Sequence, residues 1–144
     1  MSPCQGECRG FEPRISLIMK NITELQPDEV FVFGSNEAGA HGAGAALRAL
    51  DFGAIVGQGY GPQGKAFAIP TKNGWIRTLP VEEIGKYVTR FIEYAKERPE
   101  TKFLVTPIGC GLAGYKFEDI APLFKDALGI SNIILPEEFI NILV

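Results

Sequence analysis

The pentapeptide EVFVF, Glu29 to Phe33, constrains this chain more than any other stretch. Val30, Phe31, Val32 and Phe33 are apolar in succession, so a strand made of them must be covered on both faces. Such a strand belongs in a sheet with helices on either side. The rest of the chain repeats the theme. Lys65 to Thr71 (KAFAIPT), Lys102 to Ile108 (KFLVTPI) and Asn132 to Leu135 (NIIL) read as further strands, and ISLIM, Ile15 to Met19, as an opening one. Helical patterns fall between them. Ala43 to Leu50 is a short helix. Pro80 to Glu97 keeps Val81, Ile84, Val88, Phe91, Ile92 and Ala95 on one face, with Glu82 and Glu83 at its positive end and Lys96 and Arg98 at its negative end. A third pattern aligns Phe117, Ile120, Phe124, Ala127 and Leu128. Pro122 lacks an amide hydrogen and belongs in a first turn, so the helix is expected to start near Asp119 and stop at Gly129. Ala54 to Gly64 reads as a strand fragment plus loop. The predicted fold is an α/β sandwich around a mainly parallel sheet.

With 144 residues the chain is one domain with a sizeable core. Its formal net charge of −3 argues against general nucleic-acid binding, which calls for a basic surplus. No apolar run reaches the roughly 18 residues of a membrane span, and no secretory leader is apparent, so a cytoplasmic protein is expected. Cys4, Cys8 and Cys110 are odd in number, and His41 is the single histidine. These four are not spaced as a structural zinc site, so neither a disulfide framework nor a metal is expected, and no cofactor is. MSPCQGECRGFEPR, residues 1–14, has no periodicity. It is expected to be a disordered extension that can be deleted, with the domain occupying residues 15–144.

Glycine placement carries the functional signal. Nine of the 17 glycines lie between Gly34 and Gly64 and three more between Gly109 and Gly114, and the clusters at Gly34 and Gly109 each follow a buried strand. In open α/β sheets the ligand crevice lies outside the carboxyl ends of the strands, so the two loops can converge on one guest. Glycine leaves no side chain between the backbone amides and that guest, and successive N–H groups at a helix start suit a phosphate or pyrophosphate. Neither run is a P-loop, because no GKS or GKT follows the first, and GAHGAG is not spaced as GxGxxG.

Four further segments carry a resemblance. KNITEL (Lys20 to Leu25), GAHGAGAA (Gly39 to Ala46), FAIPTK (Phe67 to Lys72) and TPIGCGLAGYKFEDI (Thr106 to Ile120) occur in the order of the macrodomain family. The chain most closely resembles the terminal ADP-ribose protein glycohydrolase branch, and PIGCGL is the most specific of these matches. The resemblance covers about Met19 to the end. It implies a three-layer α/β/α sandwich around a mixed sheet, with ADP-ribose or a derivative, free or on a macromolecule, in a cleft between the loops. Gly42, Gly44 and Ala45 would line one side of the diphosphate, and Gly109, Cys110, Gly111 and Leu112 the other. Asn21 stands where macrodomains usually hold an aspartate that accepts the adenine amine. Lys72 matches the lysine that attacks the anomeric carbon of the distal ribose, a reaction that needs a neutral amine.

The chain departs from that branch at Ala113, where the branch has an aspartate acting as acid/base. A step usually worth about 10²–10⁴-fold in rate then lacks its group. Glu37, Glu118 and Asp119 are the candidates to substitute for it, although the last two better suit a helix start. Ser35, Asn36 and His41 after the first strand, and Ala113, Gly114 and Tyr115 in the second loop, complete the expected ligand contacts. Tyr115 and Phe139 are candidates for stacking on a base or ribose, or for core edges. Three functions compete: an ADP-ribose-binding hydrolase using Lys72, a non-catalytic nucleotide reader, and a thiol hydrolase with Cys110 as nucleophile and His41 as base.

Overall fold

The computed structural model describes residues 25–42, 44–75, 77–111 and 113–144. The residue 1–14 extension, the ISLIM strand, Asn21 and Leu112 lie outside those residues. Strands form within the expected segments, with the fourth stopping at Val105 rather than Ile108: β1 (Glu29–Asn36), β2 (Gly61–Gln63), β3 (Ala66–Lys72), β4 (Lys102–Val105) and β5 (Ile133–Ile134). They form one sheet in the order β2-β3-β1-β4-β5. β1 pairs in parallel with β3 and β4, and β4 with β5; β2 alone runs antiparallel, against β3. The chain is therefore α/β with a mixed, mainly parallel sheet.

Alternation along β1 explains the layers. Val32 points to one face, where Phe67, Ile69, Phe103 and Val105 join it. Phe31 and Phe33 point to the other, beside Ala66 and Ala68. All of these are essentially without solvent exposure. On the first face lies α2 (Val81–Lys96), which buries Ile84, Val88, Phe91, Ile92 and Ala95 as its 3.6-residue spacing predicts. Its amino end carries Glu82 and Glu83, and its carboxyl end is closed by Asn132, whose Nδ2 donates to the carbonyls of Ala95 and Arg98 at 2.9 Å each. The second face is covered by α1 (Gly44–Ala49) through Ala46 and Ala49, followed by a 3₁₀ turn at Leu50–Phe52.

One expectation needs correction, and one alternative is decided. The helix expected to start near Asp119 begins instead at Phe117, because the Asp119 carboxylate accepts the Lys116 N–H at 3.0 Å and fixes the cap there. This α3 (Phe117–Ile120) gives way to a 3₁₀ helix over Ala121–Ala127 with Pro122 at its start. Phe117 is consequently 38% exposed rather than aligned with Phe124 in the core. Phe139 belongs to α4 (Glu137–Leu143); it is fully buried and packs on Phe124 at a ring separation of 5.5 Å. It is a core residue with no access to a ligand. Among the described residues no helix is long and apolar enough to cross a membrane.

Candidate functional site

The carboxyl ends of β3, β1 and β4 lie side by side, with β1 between strands that the chain reaches in opposite directions. A cleft of about 480 Å³ opens there. The end of β1 supplies Ser35 and Asn36, the loop after it Ala40 and Gly42, and the start of α1 Gly44 and Ala45; β3 supplies Thr71 and Lys72; the segment after β4 supplies Thr106 to Gly109, Gly111 and Ala113. The two glycine loops thus face one cavity. Among the described residues Lys72 is the only charged one that lines it, and no carboxylate does.

Local chemistry builds the first wall. Asn36 Oδ1 accepts the Ala40 N–H at 3.1 Å and Asn36 O accepts that of Gly39 at 2.9 Å, so the chain turns immediately after β1. The segment after α1 braces this turn from outside. Gly57 N donates to Gly39 O at 2.8 Å, and the Ser35 hydroxyl donates to Gly59 O. Gln63 is the centre of the brace. Its Nε2 donates to the carbonyls of Gln58 and Gly61 at 3.1 and 3.2 Å, while its Oε1 accepts Ile55 N at 2.7 Å and faces His41 Nε2 at 3.1 Å. With the amide oriented this way, His41 donates from Nε2. The second wall follows the same logic. Thr106 caps β4 through its N–H and hydroxyl, both donating to Val32 O at 3.0 and 2.8 Å, and Tyr115 N donates to Gly109 O at 2.8 Å. Gly109 has φ +75°, and a Cβ there would press on Ile120 Cδ1 at 3.1 Å.

Of the expected contact residues, Ser35, Asn36, Gly42, Gly44, Ala45, Lys72, Gly109, Gly111 and Ala113 line the cleft. His41, Cys110, Gly114 and Tyr115 do not. His41 is buried, its ring edge-on to Phe33 at 5.2 Å, with Nδ1 meeting no hydrogen-bond partner among the described residues. Tyr115 is turned away, its hydroxyl donating to Leu79 O at 2.6 Å. Cys110 packs against the core on the α2 side, whereas His41 packs on the α1 side. The proposed thiol–imidazole pair is therefore absent. Burial pushes the Cys110 thiol up to about 11, helped by the negative charges of Asp119 and Glu138, the reverse of what a thiolate nucleophile requires. Its Sγ–H donates to Ile108 O at 3.4 Å.

Sequence reasoning overlooked Thr71, Thr106 and Pro107, which it counted as strand ends, and Gln63, a lone polar residue in a glycine-rich stretch. The carboxylates are also placed. Asp119 caps α3. Glu37 is exposed and accepts the Tyr87 hydroxyl at 2.7 Å; burial and that bond push the Tyr87 phenol up to about 12. The chain matches no protein-family model, no curated protein and no solved structure.

Proposed function

We propose that the cleft binds ADP-ribose or a related nucleotide diphosphate, as the macrodomain resemblance implies, and holds it without turnover. One observation supports this most: two glycine loops, from strands on one sheet, line a single cavity whose only charged group among the described residues is a lysine. Main-chain N–H groups and one cation attract a pyrophosphate, and no carboxylate among the described lining residues opposes it. The same observation weighs against ester cleavage. A lysine adduct needs an acid/base to resolve it, Ala113 offers none, and Glu37 is held by Tyr87 outside the cavity lining. Lys72 then serves as an electrostatic contact to phosphate.

Calorimetry with ADP-ribose, NAD and AMP tests the ligand class. ADP-ribose binds at one site and AMP, which lacks a diphosphate, binds much more weakly. Lys72→Gln weakens ADP-ribose roughly 10-fold, the value of one charge-assisted hydrogen bond. Absence of heat with every diphosphate refutes the reading. Incubation with a glutamate-ADP-ribosylated peptide releases nothing; release that vanishes in Lys72→Gln would restore the hydrolase reading.

A further inference from the structure

His41 adopts φ +50°, and among the described residues it is the one non-glycine with a positive φ. An L residue in that left-handed conformation is strained by its Cβ, and glycine is not. The same loop has glycine at its neighbouring left-handed positions, Gly39 at φ +72° and Gly44 at φ +62°. Backbone preference therefore argues for glycine at position 41, and the imidazole must offset the strain through what it touches.

Those contacts are specific. Ala40 and Gly42, on either side, line the cleft, whereas the His41 ring turns away from it and is 1% exposed. The ring stands edge-on to Phe33 of β1, and its Nε2 meets Oε1 of Gln63, the last residue of β2, at 3.1 Å. Gln63 is not free to flip its amide, because its Nε2 donates to the Gln58 and Gly61 carbonyls and its Oε1 also accepts Ile55 N. Position 41 must therefore present a donor. Packing alone does not explain a histidine there: Nδ1 is buried without a hydrogen-bond partner among the described residues, a cost that an apolar ring avoids. The bonds that close the turn after β1 run from Asn36 to Gly39 and Ala40. Between Ala40 and α1, the tie to the brace among the described residues is the imidazole.

We propose that His41 is the positioning residue of the first glycine loop. Its Nε2–H, received by Gln63, keeps residue 41 left-handed and so sets Gly42 on the cleft wall in the conformation that takes a diphosphate. His41 touches no ligand and acts through Gly42. The effect on affinity rests on the diphosphate reading of the cleft, whereas the effect on the loop is measurable without ligand. When the tie is lost, the binding-competent loop becomes one of several conformations, and apparent affinity falls by its fraction of the population.

The test compares wild type with His41→Gly and His41→Phe. Glycine suits the left-handed backbone and removes the ring; phenylalanine keeps a ring and removes the N–H donor. Each weakens ADP-ribose roughly 10-fold in calorimetry, as when the competent loop falls to about a tenth of the population. In the ligand-free variants the Gly42 amide resonance moves or broadens, while Gly109 and Gly111 of the opposite loop stay in place. Imidazole added to His41→Gly restores both the affinity and the Gly42 resonance. Its 1-methyl derivative, which has no N–H, restores neither, and His41→Phe is rescued by neither compound. A ring that merely fills space gives the opposite pattern: His41→Phe binds like wild type, and both compounds rescue His41→Gly. That pattern, or a Gly42 resonance unchanged in both variants, overturns the proposal. If His41→Gly does not fold, His41→Phe decides alone. Failure of wild type to bind ADP-ribose overturns the cleft reading, and the ligand-free Gly42 resonance then still decides the role of His41.

Discussion

Gly39 and Gly42 stand three residues apart in one loop and are glycine for different reasons. Gly39 has φ +72°, and a Cβ on it would lie 2.6 Å from the Gly57 carbonyl carbon and 2.7 Å from that of Gln58. Backbone meets backbone there, so only glycine fits. At Gly42, and across the cleft at Gly111, φ is not in the left-handed range and a Cβ would meet nothing within 4 Å among the described residues. Folding makes no demand for glycine at these two positions, yet both line the cavity. The loop therefore has a packed side, where Gly39 fits against the 55–63 brace, and an open side, where bare amides await a guest. The packed side keeps the open side in shape before any ligand arrives, which lowers the ordering cost of binding.

Substitution separates the two sides. Gly39→Ala is expected to cost about 2 kcal/mol or more in a urea unfolding curve, because the collision is with main chain that cannot rotate away. Gly42→Ala and Gly111→Ala leave stability unchanged or raise it by about 0.5 kcal/mol, since alanine narrows the unfolded ensemble. Each nonetheless weakens ADP-ribose roughly 10-fold by blocking one charge-assisted main-chain contact. A stability loss at Gly111 with intact binding would reverse the assignment. A smaller effect concerns the neighbour of Gly111. The Cys110 thiol is pushed up to about 11, so the folded chain favours its protonated form. That contribution is fully present below the unfolded thiol's value of about 8.5 and is lost as pH rises towards 11. Site-resolved iodoacetamide labelling at pH 8.5 should therefore modify Cys110 more slowly in native protein than in urea. Equal rates would contradict the burial described for it.

The strands were legible because burial on both faces leaves runs such as EVFVF, and α2 because its apolar stripe is regular. β1 runs on through Gly34, Ser35 and Asn36, residues of low strand propensity, because pairing with β3 carries it there. α3 was misplaced because Pro122 argued for one start and Asp119 fixed another. At the site, glycines after buried strands exposed both loops, and their convergence follows from β1 lying between β3 and β4. Buried His41 and outward-turned Tyr115 were not separable from true cleft residues, since chain position does not say which way a loop side chain turns. Gln63 carried no pattern, because its role depends on four partners that the fold brings together.

The central claim is that both loops hold one diphosphate through their main-chain amides. The most direct measurement follows amide proton–nitrogen resonances while ADP-ribose is added. The account predicts that Gly42 and Gly44 shift together with Gly109 and Gly111, along one binding curve, while the remote Gly129 stays in place. Movement of one loop alone, or of neither at saturating ADP-ribose, would contradict it.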